Sequence, residues 1–128
     1  MSLIEQRTDL ATALDGIEKV AGHRTWPARL VAPAAVVDEG TPYLSPSSAK
    51  FGGWDVRHEV TVVARPAADN TVATDQLCQL LAATVQALED AGHDVTEAGG
   101  FFPLDVAGTQ HLACRVSVTT VVAGDALT

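Results

Sequence analysis

Strict two-residue alternation runs from Trp54 to Arg65. Trp54, Val56, His58, Val60, Val62 and Ala64 share one face, and Asp55, Arg57, Glu59, Thr61, Val63 and Arg65 share the other. Period two over this length predicts an antiparallel strand with one buried and one polar face. A second strand mirrors it near the carboxy terminus, where Leu112, Cys114, Val116, Val118, Thr120 and Val122 alternate with His111, Ala113, Arg115, Ser117, Thr119 and Val121. Between the two, Leu77, Leu81, Val85 and Leu88 recur at helical spacing, with Leu80 and Thr84 beside them. They predict a packing helix from about Thr71 or Thr74 to Ala91, with Gly92 at the left-handed position that closes it.

The remaining elements are shorter. Leu3, Arg7, Leu10, Leu14 and Ile17 fall on one helical stripe, with Ile4 and Ala11 beside it and Ser2 available as a cap, so residues 2 to 15 read as an amphipathic helix. Gly16, Gly22 and Trp26-Pro27 mark its end and the turn that follows. The apolar run "ARLVAPAAVV", residues 28 to 37, reads as a strand at an edge or broken near Pro33. Residues 38 to 53 carry three glycines, two prolines and three serines and read as a long loop. Val95-Thr96 open another strand, Gly99-Gly100 permit a kink, and residues 101 to 106 resume extended structure before a turn at "AGTQ". The expected architecture is one α+β domain spanning residues 1 to 128. It has a largely antiparallel or mixed sheet of about four strands, two helices on one face, and a long loop after the first strand.

With 47% apolar and 19% charged residues, the chain has the composition of a folded domain. Sixteen acidic against eight basic side chains give a net charge of −8, which disfavours wrapping nucleic acid but suits a surface that DNA passes without sticking. No signal-peptide pattern or membrane-length apolar run is present, so the expectation is a soluble protein made in the cytoplasm, with no membrane partner. Cys78 and Cys114 lack CxxC spacing and read as a buried, reduced pair of small hydrophobes.

Little in the sequence points to chemistry. His23, His58, His93 and His111 do not cluster, and His58, on the apolar face of a strand, reads as a core histidine. The acid pairs Asp38-Glu39, Glu89-Asp90 and Asp94 with Glu97 sit at loop or helix ends, where carboxylates are ordinarily solvated. The serines of "LSPSS" lack a nucleophile-elbow setting, and "AGG" at residues 98 to 100 is followed by no phosphate-loop lysine. The expectation is therefore a non-enzyme with no catalytic residue, cofactor or metal. Two surfaces stand out instead. The 38 to 53 segment sets Tyr43, Leu44, Lys50 and Phe51 among turn residues, either as a contact surface or folded back onto its own core. Arg57, Glu59 and Arg115 form a cross-strand charge network if their strands are neighbours.

The order of elements, together with "WDVRHEVTVVA", "ATDQLCQLLAATVQALEDAG" and "GTQHLACRVSVTTVV", resembles the small tail terminator proteins of long-tailed bacteriophages, especially those of actinobacterial phages. The resemblance extends over residues 1 to 122 and rests on hydrophobic pattern rather than an invariant motif. It implies a virion protein at the head-proximal end of the tail, assembled into a homohexameric ring. Such a ring caps the tail tube, stops polymerisation of the tube protein and meets the head-tail connector or stopper protein, while DNA passes through its lumen without specific binding. The 38 to 53 loop is then the assembly arm, with Tyr43, Leu44, Lys50 and Phe51 as one patch and Arg57, Glu59 and Arg115 as the other. The rival readings are a head-tail connector or minor tail protein of similar fold, and a small-molecule-binding or enzymatic domain with a pocket under the loop.

Overall fold

The computed structural model describes residues 1–48, 51–67 and 69–127. Helix α1 (Leu3–Asp15) leads through the short strand β1 (Ala21–His23) to β2 (Ala34–Pro46) and β3 (Gly53–Val63). The long helix α2 (Asn70–Asp90) follows, then β4 (Asp94–Ala98), β5 (Phe102–Val106) and β6 (Thr109–Ala123), and a 3-10 turn over Gly124–Ala126. The protein is α+β with a mixed sheet of six strands in the order β1-β2-β3-β6-β4, in which β5 also pairs with β6. β1 runs parallel to β2; the other pairings are antiparallel.

Sequence chemistry accounts for the helix ends. Ser2 Oγ accepts from the Glu5 amide and Glu5 Oε1 accepts from the Ser2 amide, a reciprocal box that satisfies two otherwise orphaned donors. Asp69 caps α2 by accepting from Thr71 N at 2.7 Å. At the far end Gly92 takes φ +85°, its amide donates to Glu89 O, and the His93 amide donates to Leu88 O. This closure requires a left-handed residue, which glycine adopts at little cost.

Both helices lie on one face of the sheet. Leu10 and Leu14 of α1 and Leu77 and Leu88 of α2 close over Ala35, Val37, Val60, Val62, Cys114, Val116 and Val118. Val60, Val62, Cys114, Val116 and Val118 belong to the alternations that predicted them, and Ala35 and Val37 to the apolar run that precedes the expected loop. On α1 the buried stripe is Gln6, Leu10 and Leu14, while Ile4 is 67% exposed. Cys114 is buried in the core, but Cys78 is an exposed free thiol on α2, so the two do not form the buried pair expected.

The structure departs from the sequence reading along 21–46. Residues 28–33 are not a strand, and the expected loop over 38 to 53 is strand as far as Pro46, leaving a connection of only 47 to 52. Beyond Val36, β2 has β3 on one side and no strand among the described residues on the other, and Pro42 and Pro46 fall on this edge portion, where proline is tolerated. An irregularity between Glu39 and Leu44 absorbs the rest of the turn-like sequence. There a Cβ on Gly40 would stand 2.6 Å from the Arg57 carbonyl oxygen, so the strand passes Arg57 only as glycine.

β1, which reads as a turn, is a strand because Gly22 lets it approach the backbone of α1. A Cβ there would lie 2.5 Å from Ala11 O and 2.6 Å from Asp15 N. Since β1 and β2 are parallel, residues 24–33 must cross a face of the sheet. The helices occupy one face. Trp26 Nε1 donates to Asp38 Oδ2 at 3.0 Å on the other, so the segment crosses there. Ala34, Val36, Thr61, Val63 and Ala113 are buried on that outer face, which is therefore not uniformly polar and open.

Gly22→Ala should cost about 1–3 kcal/mol of stability through backbone overpacking. Gly100→Ala, where an added Cβ meets nothing within 4 Å, should stay within about 0.5 kcal/mol of the parent. Urea unfolding of the two variants beside the parent measures the contrast.

Candidate functional site

The β2–β3 hairpin carries most of the residues singled out in the sequence, and the structure separates them. Phe51, in the connection, has no shielding at all, at 105% relative exposure. The Ser47 amide donates to Gly53 O and the Gly124 amide to Gly52 O, so the backbone beside Phe51 is tied both within the hairpin and to the turn after β6. Lys50 lies outside the described residues. Leu44 is half-buried and pairs with Val56.

Tyr43 folds inward rather than outward. Its ring meets His58 edge-on at 5.3 Å. Its buried hydroxyl lies beside the Arg7 guanidinium without an aligned hydrogen bond among the described residues. For this residue the fold-back alternative is what the structure shows.

Tyr43 thereby belongs to a polar cluster that sequence reasoning did not assemble. His58 is fully buried, and its Nε2 lies 3.0 Å from Gln6 Oε1. The Gln6 amide nitrogen donates to Met1 O, which orients its oxygen toward the imidazole, so His58 Nε2 carries the proton. His58 Nδ1 is left without a partner among the described residues. Next to Gln6 on the helix, Arg7 donates to Arg24 O, Val37 O and Glu39 Oε2, tying α1 to β2 and to the crossing segment. His93 Nε2 stands 3.4 Å from Asp9 Oδ2, too poorly aligned for a hydrogen bond. The only sequence signals for this cluster were His58 on an apolar strand face and Arg7 on an apolar helix stripe.

On the outer face β3 and β6 are neighbours, but only two of the three charged candidates, Glu59 and Arg115, meet each other. Arg115 Nε lies 3.9 Å from Glu59 Oε2 and its guanidinium sits over the Phe102 ring, 4.6 Å from the centroid. Arg57, however, turns to Glu97 at 2.7 Å and to Ser117 Oγ at 3.1 Å. Glu97 of β4 was not foreseen as its partner. Each cation is thus matched by an acid of the same chain. As solvent-screened pairs they contribute at most about 1 kcal/mol each.

Among the described residues no three His, Cys, Asp or Glu side chains converge as metal ligands do, and no helix is long and apolar enough to cross a membrane. A groove of about 470 Å³ is formed by the crossing segment from Trp26 to Ala32 with Pro66, Val106, Ala107, Thr109 and His111. No protein-family model matches this chain, and no curated protein matches it at a significant level.

Burial lowers the pKa of His58 from 6.5 to about 4, with Arg7 and His93 adding repulsion. Between those values the unfolded chain binds a proton that the folded chain refuses. The neutral histidine therefore contributes its full stability above pH 6.5 and loses it as pH falls toward 4, by up to about 1.4 kcal/mol per pH unit. Urea midpoints measured from pH 7 to pH 4 should show this slope, and His58→Gln should be less stable at pH 7 yet flatter across the window.

Proposed function

We propose that this chain is a ring-forming structural subunit of the phage tail-terminator type, which caps the tail tube, ends tube polymerisation and presents the surface that meets the head-tail connector. The observation that carries the reading is Phe51. A large aromatic side chain, wholly exposed, is held at the end of a hairpin whose strands are built into the sheet. An isolated subunit gains nothing from leaving it in water, and aromatic anchors of this kind dominate protein contacts. The resemblance in element order and hydrophobic pattern supplies the class of partner. The net charge of −8 accords with a lumen along which DNA slides without binding.

This reading makes the hairpin formed by Ala34–Pro46 and Gly53–Val63 the assembly arm.

The test is light scattering of the purified protein over a wide concentration range, with electron microscopy of mixtures containing purified tail tubes. The reading expects closed multimers, six-fold in projection, at tube ends, and tubes of limited length when tube protein polymerises in their presence. Tubes that elongate unchanged, with no protein at their ends, would sink it.

A further inference from the structure

We infer that Thr120–Ala123 of β6 is a docking edge for an extended, lysine- or arginine-bearing segment of a partner protein, which pairs with it as an added strand. The inference goes beyond the ring reading and does not depend on it.

β6 is longer than the strands beside it. On one side β3 pairs with it without a register shift as far as Ala123, whereas on the other β4 reaches only to Thr119 and β5 lies at the opposite end. Among the described residues no strand continues the line of β4 alongside Thr120–Ala123. The other open edges carry features that discourage pairing. β1 has three residues, β2 has Pro42, Pro46 and the irregularity after Glu39, β4 has a shift between Val95 and Glu97, and β5 has Pro103. Thr120, Val121, Val122 and Ala123 include no proline, charge or bulge, and the first three are β-branched residues suited to a ladder. Such an edge binds through backbone hydrogen bonds, with alternate side chains of the added strand turned to either face.

A groove of about 400 Å³ opens on this edge, between Gln6 and Asp9 of α1, His93 and Asp94 of the turn after α2, and Thr120 and Val121 of β6. Charge decides what kind of strand it takes. No lysine or arginine lines the groove. Asp94 has no ion pair among the described residues, and Asp9 faces only His93, at 3.4 Å. The last turn of α2, which ends beside the groove, carries no basic residue, so its carbonyl end adds negative potential. Three cations close by are already engaged: the Met1 amino group attracts the Glu5 carboxylate, Arg7 pairs with Glu39, and Arg57, across the ladder from Thr119, bonds to Glu97 at 2.7 Å. A second copy does not fit. The open edges of this chain, β1, β2 beyond Val36, β4 and β5, hold no lysine or arginine and would bring Asp38, Glu39, Asp94, Glu97 or Asp105 against the acids of the groove. A basic segment of another protein is complementary where a second copy is repelled.

Nuclear magnetic resonance of the isotope-labelled full chain, titrated with a short synthetic peptide of alternating lysine and valine, tests the site. The amides of Thr119 to Ala123, Asp9 and Asp94 should shift together and saturably. A peptide of alternating glutamate and valine, and the lysine–valine peptide methylated at every backbone nitrogen, should each bind more weakly by about tenfold or more. Asp9→Asn combined with Asp94→Asn, both at exposed positions, should weaken the lysine–valine peptide by about fivefold or more. A peptide that leaves Thr119 to Ala123 unmoved overturns the inference. Equal binding by the methylated peptide overturns strand pairing, and equal binding by the glutamate peptide overturns the assigned partner chemistry. The tail-tube experiment judges the ring reading separately.

Discussion

The antiparallel pairing of β3 with β6 is the constraint on which the other elements depend. It runs without interruption from Gly53–Ala123 to Val63–Ala113 and sets, residue by residue, which side chains meet the helices. A slip of one residue in either strand would turn Val60, Val62, Cys114, Val116 and Val118 to the outer face and expose charge to the core. Everything peripheral is added to this pair. β2 lies on one side of it, β4 and β5 share the other, and the long helix covers one face. The same ladder fixes the end from which the β2–β3 turn projects, so the placement of Phe51 follows from the core rather than from the turn itself.

A polar cluster, rather than apolar contact alone, holds α1 in place. Gln6 bonds to His58, and Arg7 reaches two backbone carbonyls and Glu39. Apolar side chains tolerate small rotations of a helix, whereas hydrogen bonds at defined atoms do not, so these bonds specify one orientation of α1 on the sheet. Arg7 also holds the start of the crossing segment through Arg24 O, which links the packing of α1 to the position of the groove. The arrangement makes the fold sensitive to acid, because a protonated His58 would be a charge buried against Arg7.

Long periodic elements were legible in the sequence. β3, β6 and α2 followed from spacing alone, whereas residues 95–106, read as one strand kinked at Gly99-Gly100, are two strands, β4 and β5, and with β1 they raise the expected count of about four strands to six. Residues 38 to 46 were not legible, because glycine and proline report a backbone's local needs without saying what imposes them. Gly40 is required by Arg57 from the neighbouring strand, and Pro42 and Pro46 are tolerated on an unpaired edge. Gly22 misled in the same way, since the helix that demands it is seven or more residues distant in sequence. Among the candidate residues, Phe51 kept the exposure that loop reading gave it, Tyr43 did not, and Arg57 found its acid on β4 rather than on its own strand. The Trp26–Ala32 groove was invisible, because its apolar residues read as part of a strand.

The β3–β6 ladder carries the fold, and hydrogen–deuterium exchange of the full chain tests this most directly. The amides that bond across β3 and β6 should be the slowest to exchange, with opening free energies near that of global unfolding, and those of β1 and β4 should open more easily. Amides of β3 and β6 that exchange as fast as those of β1 or β4 would contradict it.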